Sequence, residues 1–200
     1  MSANGNNKNS KDDHPLLRGL HLGSITFLLS ILLTLLSNFV LNKMGLFFAI
    51  IFLLIIVFFG VVFDMIGVAV TAAGETSFHA MAAKKVFGAL QAYRLVRHAD
   101  RVSSICNDVI GDICGTVSGA AAAIIAFHWV ATGVLDDQRI ISLFIAGIVA
   151  ALTVGGKAAG KYVALSRCRE ITYQAGKILA WLEVNFGLQF LIEKGKMRRR

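Results

Sequence analysis

Val102–Gly119 reads VSSICNDVIGDICGTVSG and opens an apolar run that continues through Ala120–Val130. Wound as a helix at roughly 100° per residue, it gathers its polar and small residues into an arc of about 140°. Those residues are Ser104, Asn107, Asp108, Gly111, Asp112, Gly115, Ser118 and Gly119. Ile105, Cys106, Val109, Ile110, Ile113 and Val117 take the other side. One face thus carries oxygen ligands and glycine, and the opposite face is apolar. A polar face of this kind inside a membrane needs protein or water beside it, not lipid. The rest of the chain is expected to enclose it.

Working outward, Leu20–Leu41 is an apolar run long enough to cross a bilayer, which takes about 20 residues. Leu46–Ala73 is a second and longer run, interrupted by Asp64. Gly74–Arg101 differs in kind: charged residues alternate with apolar ones at helical spacing. This pattern predicts two short amphipathic helices, divided near Gly88 and lying at a membrane surface. Val102–Val130 is the third expected span and Ile140–Ala164 the fourth, with a glycine-rich second half, TVGGKAAGK. Arg167–Lys196 reads as a final amphipathic helix. The expected fold is therefore an all-α integral membrane protein. It has about four transmembrane helices, with amphipathic surface helices between the second and third spans and after the fourth. Residues 1–19 read as a disordered polar cytoplasmic tail rather than a cleavable signal peptide, and residues 192–200 as a basic tail.

Composition agrees with a membrane class. Of 200 residues, 56% are hydrophobic and only 16% charged, with a mean hydropathy of +0.68. The net charge of +8 points to anionic lipid headgroups, because no stripe of basic and aromatic residues suited to nucleic acid lies outside the apolar context. Lys43 and Arg139 are the cations of two short loops, whereas 74–101 holds Lys84, Lys85, Arg94, Arg97 and Arg101. Four spans with both termini cytoplasmic, in the plasma membrane, satisfy this bias. Cys106, Cys114 and Cys168 form neither a disulfide framework nor a zinc motif. An enzyme is not expected: there is no nucleophilic triad, and Gly155-Gly156-Lys157 lacks P-loop spacing.

Ser104, Asn107, Asp108 and Asp112 offer hydroxyl, amide and carboxylate oxygens, which suit a hard cation. The competing reading makes Gly111, Gly115 and Gly119 a helix-packing seam, with the polar residues as glue. Asp64 and Lys157 are further charges at membrane depth. Lys157 either pairs with Asp64, Asp108 or Asp112, or extends to the interface. Glu75 follows the small-residue run and either caps a surface helix or lines the entrance to a site. His79 and His128 lack metal-ligand spacing and read as structural.

The order of these motifs resembles the transmembrane domain of the CorB/CorC and cyclin-M (CNNM) magnesium transport family. Ala73-Gly74-Glu75-Thr76-Ser77 is similar to that family's A-E-T-A-type motif. Asn107-Asp108 sits where its asparagine motif falls, and Gly156-Lys157-Ala158-Ala159-Gly160-Lys161 looks like its G-E-x-x-P-K. The resemblance covers about residues 46–191 and leaves 20–41 as an added N-terminal span. It implies movement of Mg²⁺, or a related ion such as Co²⁺, through a homodimer. Glu75, Ser104 and Asn107 would be the matching polar positions and Gly156 the motif glycine. The chain departs from the pattern at Lys157, where the family has glutamate, and at Gly160, where it has proline. A lysine ammonium beside a cation site repels the ion or takes its place. The family's cytoplasmic CBS pair has no counterpart in these residues, so regulation by ATP–Mg²⁺ is not expected. Two functions follow: a divalent-cation transporter, or a non-transporting membrane scaffold or regulator whose Lys157 occupies the cation site.

Overall fold

Leu46–Ala72 forms a 27-residue helix without proline or an internal break. At 1.5 Å per residue it is about 40 Å long, and the other elements assemble around it. The structure, a computed structural model, describes residues 15–41, 43, 45–131 and 138–186. Among these residues all regular structure is helical. The helices are α1 (Pro15–Leu41), α2 (Leu46–Ala72), α3 (Glu75–Ala83), α4 (Ala89–Arg97), α5 (Ala99–Ser103), α6 (Asp112–Ala131), α7 (Gln138–Ser166) and α8 (Cys168–Phe186). A π-helical stretch, Ser104–Gly111, joins α5 to α6 without interruption. Of the expected N-terminal tail, residues 1–19, positions 1–14 lie outside the described residues, as do the basic tail at 192–200 and the acidic loop at 136–137; positions 15–19 are helical and belong to α1.

Three helical stretches are long and apolar enough to cross a membrane: Leu46–Ala72, Ala99–Val130 and Ile140–Ser166. The third expected span therefore starts at Ala99 rather than Val102. The first expected run, Leu20–Leu41, lies within α1, which begins earlier, at Pro15. Proline suits that first helical position, since its missing N–H has no partner there.

The two short helices divide where Gly88 adopts a left-handed conformation, φ 79°. A side chain there would be strained and would meet the Lys177 backbone at 2.8 Å. Glu75 occupies the first turn of α3, where a carboxylate favours the positive end of the helix dipole. Phe78, Ala73 and Ala92 form a small core under these helices, with Tyr93, Cys168 and Tyr173 packed against it. Gly176 of α8 lets the helix come close to α4, since a Cβ there would stand 2.7 Å from Ala92 and from the Gly88 carbonyl oxygen.

In the main bundle α2 touches the π stretch, α5, α6, α7 and α8, whereas α1 packs principally on α6. Leu41, Ala49, Leu53, Ala121, Ala122, Ile125 and Val149 make one core cluster. Val109, Ile113 and Val117 make a second. The large apolar side chains point outward instead: Phe27, Phe39, Phe47, Phe58, Leu143 and Phe144 are all exposed. This many large apolar side chains on the outside is unlike a water-soluble bundle.

Candidate charge-paired site in the helix bundle

The polar face expected on the third span does not survive as one face. A π-helix closes i→i+5 hydrogen bonds, so a winding of 100° per residue fails over Ser104–Gly111. The apolar side, Cys106, Val109, Ile113 and Val117, is the buried one. Asp108 and Asp112 are exposed, so the expected enclosure of these carboxylates by the chain does not occur among the described residues. Ser104 donates to Asp108 Oδ2 at 2.7 Å across one turn. This leaves both groups occupied with each other on the outer surface.

Asn107 takes the opposite direction. Its side chain lies on Gly67 of α2, so closely that a Cβ there would collide with Asn107 Oδ1. Its Nδ2 donates to Ser103 Oγ at 3.2 Å. Asn107 Oδ1 itself is buried and accepts no hydrogen bond. Gly67 was not singled out in the sequence, although it stands one turn beyond Asp64 on the same helix.

Lys157 settles its partner among the three aspartates. Its Nζ lies 3.7 Å from Asp64 Oδ1, with side chains 30% and 16% exposed. The ammonium also reaches the π stretch, because a Cβ on Gly111 would sit 3.4 Å from it. The pair thus joins α7 to α2 at the level where the π stretch ends. Gly156 and Gly160 bring α7 against α2: a Cβ would stand 2.9 Å from Val61 and 2.7 Å from Met65, respectively. Gly156 serves this close approach.

Glu75 is exposed in the first turn of α3 and enters no hydrogen bond or ion pair with the Lys157–Asp64 centre. His79 stacks near Tyr93, ring centroids 5.3 Å apart. His128 Nδ1 lies 3.0 Å from the Ile124 carbonyl oxygen. Both are held by their own surroundings. Among the described residues no three His, Cys, Asp or Glu side chains gather as a metal-binding group. Ser104, Asp108, Asp112 and Glu75 thus lie at the surface or partly exposed, while Asn107 and Gly156 face α2.

Two further features stand outside the sequence reading. On α1, Thr34 Oγ1, Ser37 Oγ and Asn38 Oδ1 are buried without a hydrogen-bond partner. Their i, i+3, i+4 spacing is the available sequence signal. Between α6 and α7 an open cleft of about 430 Å³ is lined by small residues, among them Gly115, Gly119, Ala123, Ser142, Ala146 and Ala150.

Comparison with protein-family models, curated proteins and solved structures returns no match.

Proposed function

We propose that this chain is a multi-pass protein of the plasma membrane, with four spans and both termini cytoplasmic, that carries its own cation in place of a transported one. It acts as a non-transporting scaffold or regulator, with Lys157 as the resident charge. The outward-facing apolar side chains of α1, α2 and α7 support membrane placement. The observation that carries the functional reading is the Lys157–Asp64 pair at 3.7 Å. An ammonium bound to the Asp64 carboxylate neutralises the charge that a divalent ion would need there. The open Gly115–Gly119 cleft supports a homodimer, since small residues let helices of two copies approach closely. The net charge of +8 supports contact with anionic headgroups.

Titration calorimetry with Mg²⁺ on the detergent-solubilised protein tests this. The wild type should give no saturable heat, and Lys157→Glu should gain binding. Saturable Mg²⁺ binding by the wild type overturns the proposal. One observation favours the second reading, transport of Mg²⁺ or Co²⁺: Asn107 Oδ1 is buried and accepts no hydrogen bond, as a ligand oxygen awaiting an ion would be. Flux into liposomes that falls in Asn107→Ala and Asp112→Ala would establish that reading. Unchanged flux in both variants removes it.

A further inference from the structure

Among the described residues, no element covers the face of α8 turned away from the protein. Helix α8 packs through Thr172, Gly176 and Ala180, which are buried. Glu183 on the same side holds Arg94 at 3.6 Å and accepts from Gln91 Nε2 at 2.8 Å. The other side carries Ile178, Trp181 and Val184, which are 59%, 57% and 76% exposed. Their i, i+3, i+6 spacing makes one stripe about two turns long. Lys177, one turn before Trp181, extends its ammonium over the Tyr173 ring, 4.5 Å from the centroid.

We propose that α8 is an interfacial anchor for an anionic bilayer surface, with Ile178, Trp181 and Val184 entering the headgroup–acyl boundary and Lys177 meeting lipid phosphate. The proposal rests on the membrane placement given above. Three observations favour lipid as the occupant. First, α8 begins two residues after α7 ends, and the backbone bonds continue through the turn: Arg167 N donates to Val163 O and Ile171 N to Arg167 O. The start of α8 is thereby tied to the end of a lipid-facing helix. Second, charge is complementary. Glu183 is already paired, which leaves Glu170 as the uncommitted acid of α8 against Arg167, Arg169 and Lys177. Third, three apolar side chains fall well short of the roughly 800 Å² per partner of a stable protein interface, but they suit a helix lying in the interface plane. Tryptophan with a neighbouring lysine is the pairing that such a position selects.

The test uses the full chain reconstituted in vesicles. The emission of Trp181 is obtained by subtracting the spectrum of Trp181→Phe from that of the wild type, so the other tryptophan needs no change. Lipids brominated near the carbonyl end of the acyl chain should quench that emission roughly twofold, and acrylamide should quench it little. Replacing phosphatidylglycerol by phosphatidylcholine, or introducing Lys177→Gln, should weaken the bromolipid quenching. Trp181 emission that acrylamide quenches as well in vesicles as in free peptide, and that bromolipid leaves untouched, overturns the anchor. Quenching relieved by an added soluble protein, with bromolipid inert, assigns the stripe to a protein partner and overturns it too. If alkaline carbonate strips the protein from native membranes, the membrane placement itself fails and the anchor fails with it. Retention in the bilayer with a water-exposed Trp181 defeats the anchor alone.

Discussion

Removing the lysine of the Lys157–Asp64 pair should cost more than removing both charges together. Lys157→Met keeps most of the side-chain volume and deletes only the ammonium. Asp64, 16% exposed, then keeps its charge without its partner. Two unit charges 3.7 Å apart interact by about 4–5 kcal/mol at an effective dielectric constant near 20. Lys157 is 30% exposed, so water screens part of that, and a coupling of about 1–2 kcal/mol remains. Lys157→Met is expected to lose about 2 kcal/mol, Asp64→Asn about 1–2, and the double variant clearly less than their sum. The assay is reversible unfolding in mixed micelles, with helix content followed by circular dichroism as the denaturing detergent fraction rises. All four members of the cycle are measured under the same conditions. If the two single losses add to within about 0.5 kcal/mol, the charges do not interact and the basis for the resident-cation function disappears.

Further outcomes follow from packing. Gly67→Ala should destabilise by about 1–3 kcal/mol through collision with Asn107, and Asn107→Ala in the same chain should recover part of the loss, as read by the same unfolding curves. Gly88→Ala should cost at least about 1 kcal/mol, because φ is 79° and the Lys177 backbone stands 2.8 Å from the new Cβ. Gly115→Ala, with open space at its Cβ in one copy of the chain, should leave monomer stability nearly unchanged. Gly115→Leu should then weaken self-association, measured by sedimentation equilibrium in detergent, and an unchanged association constant would remove the cleft from the dimer. Asp112→Asn should shift stability by no more than about 0.5 kcal/mol, since the residue is exposed.

The helix order was legible because apolar runs and charged segments alternate on a scale of 20 to 30 residues. The division at Gly88 was legible because one glycine stands between two amphipathic patterns. The third span was harder. Its sequence fits a regular helix, and the π stretch is set by packing: Asn107 reaches Gly67 while Val109 and Ile113 stay inside. Asp108 and Asp112 were expected within because the polar arc was taken to face the bundle, whereas the structure buries the opposite, apolar side. The partner of Lys157 was beyond the sequence for a different reason. Asp64, Asp108 and Asp112 are chemically equal candidates, and only the crossing of α7 on α2 through Gly156 and Gly160 selects Asp64.

The docking of α1 on α6 also bears on how the chain is made. Helix α1 ends at Leu41 and leaves the ribosome before its main partner α6, which is completed at Ala131, 90 residues later. At about 5–20 residues per second that interval is on the order of 4.5–18 s. Throughout it, Thr34, Ser37 and Asn38 have no α6 to lie against. During that interval the polar atoms on α1 lack the burial that the assembled bundle gives them.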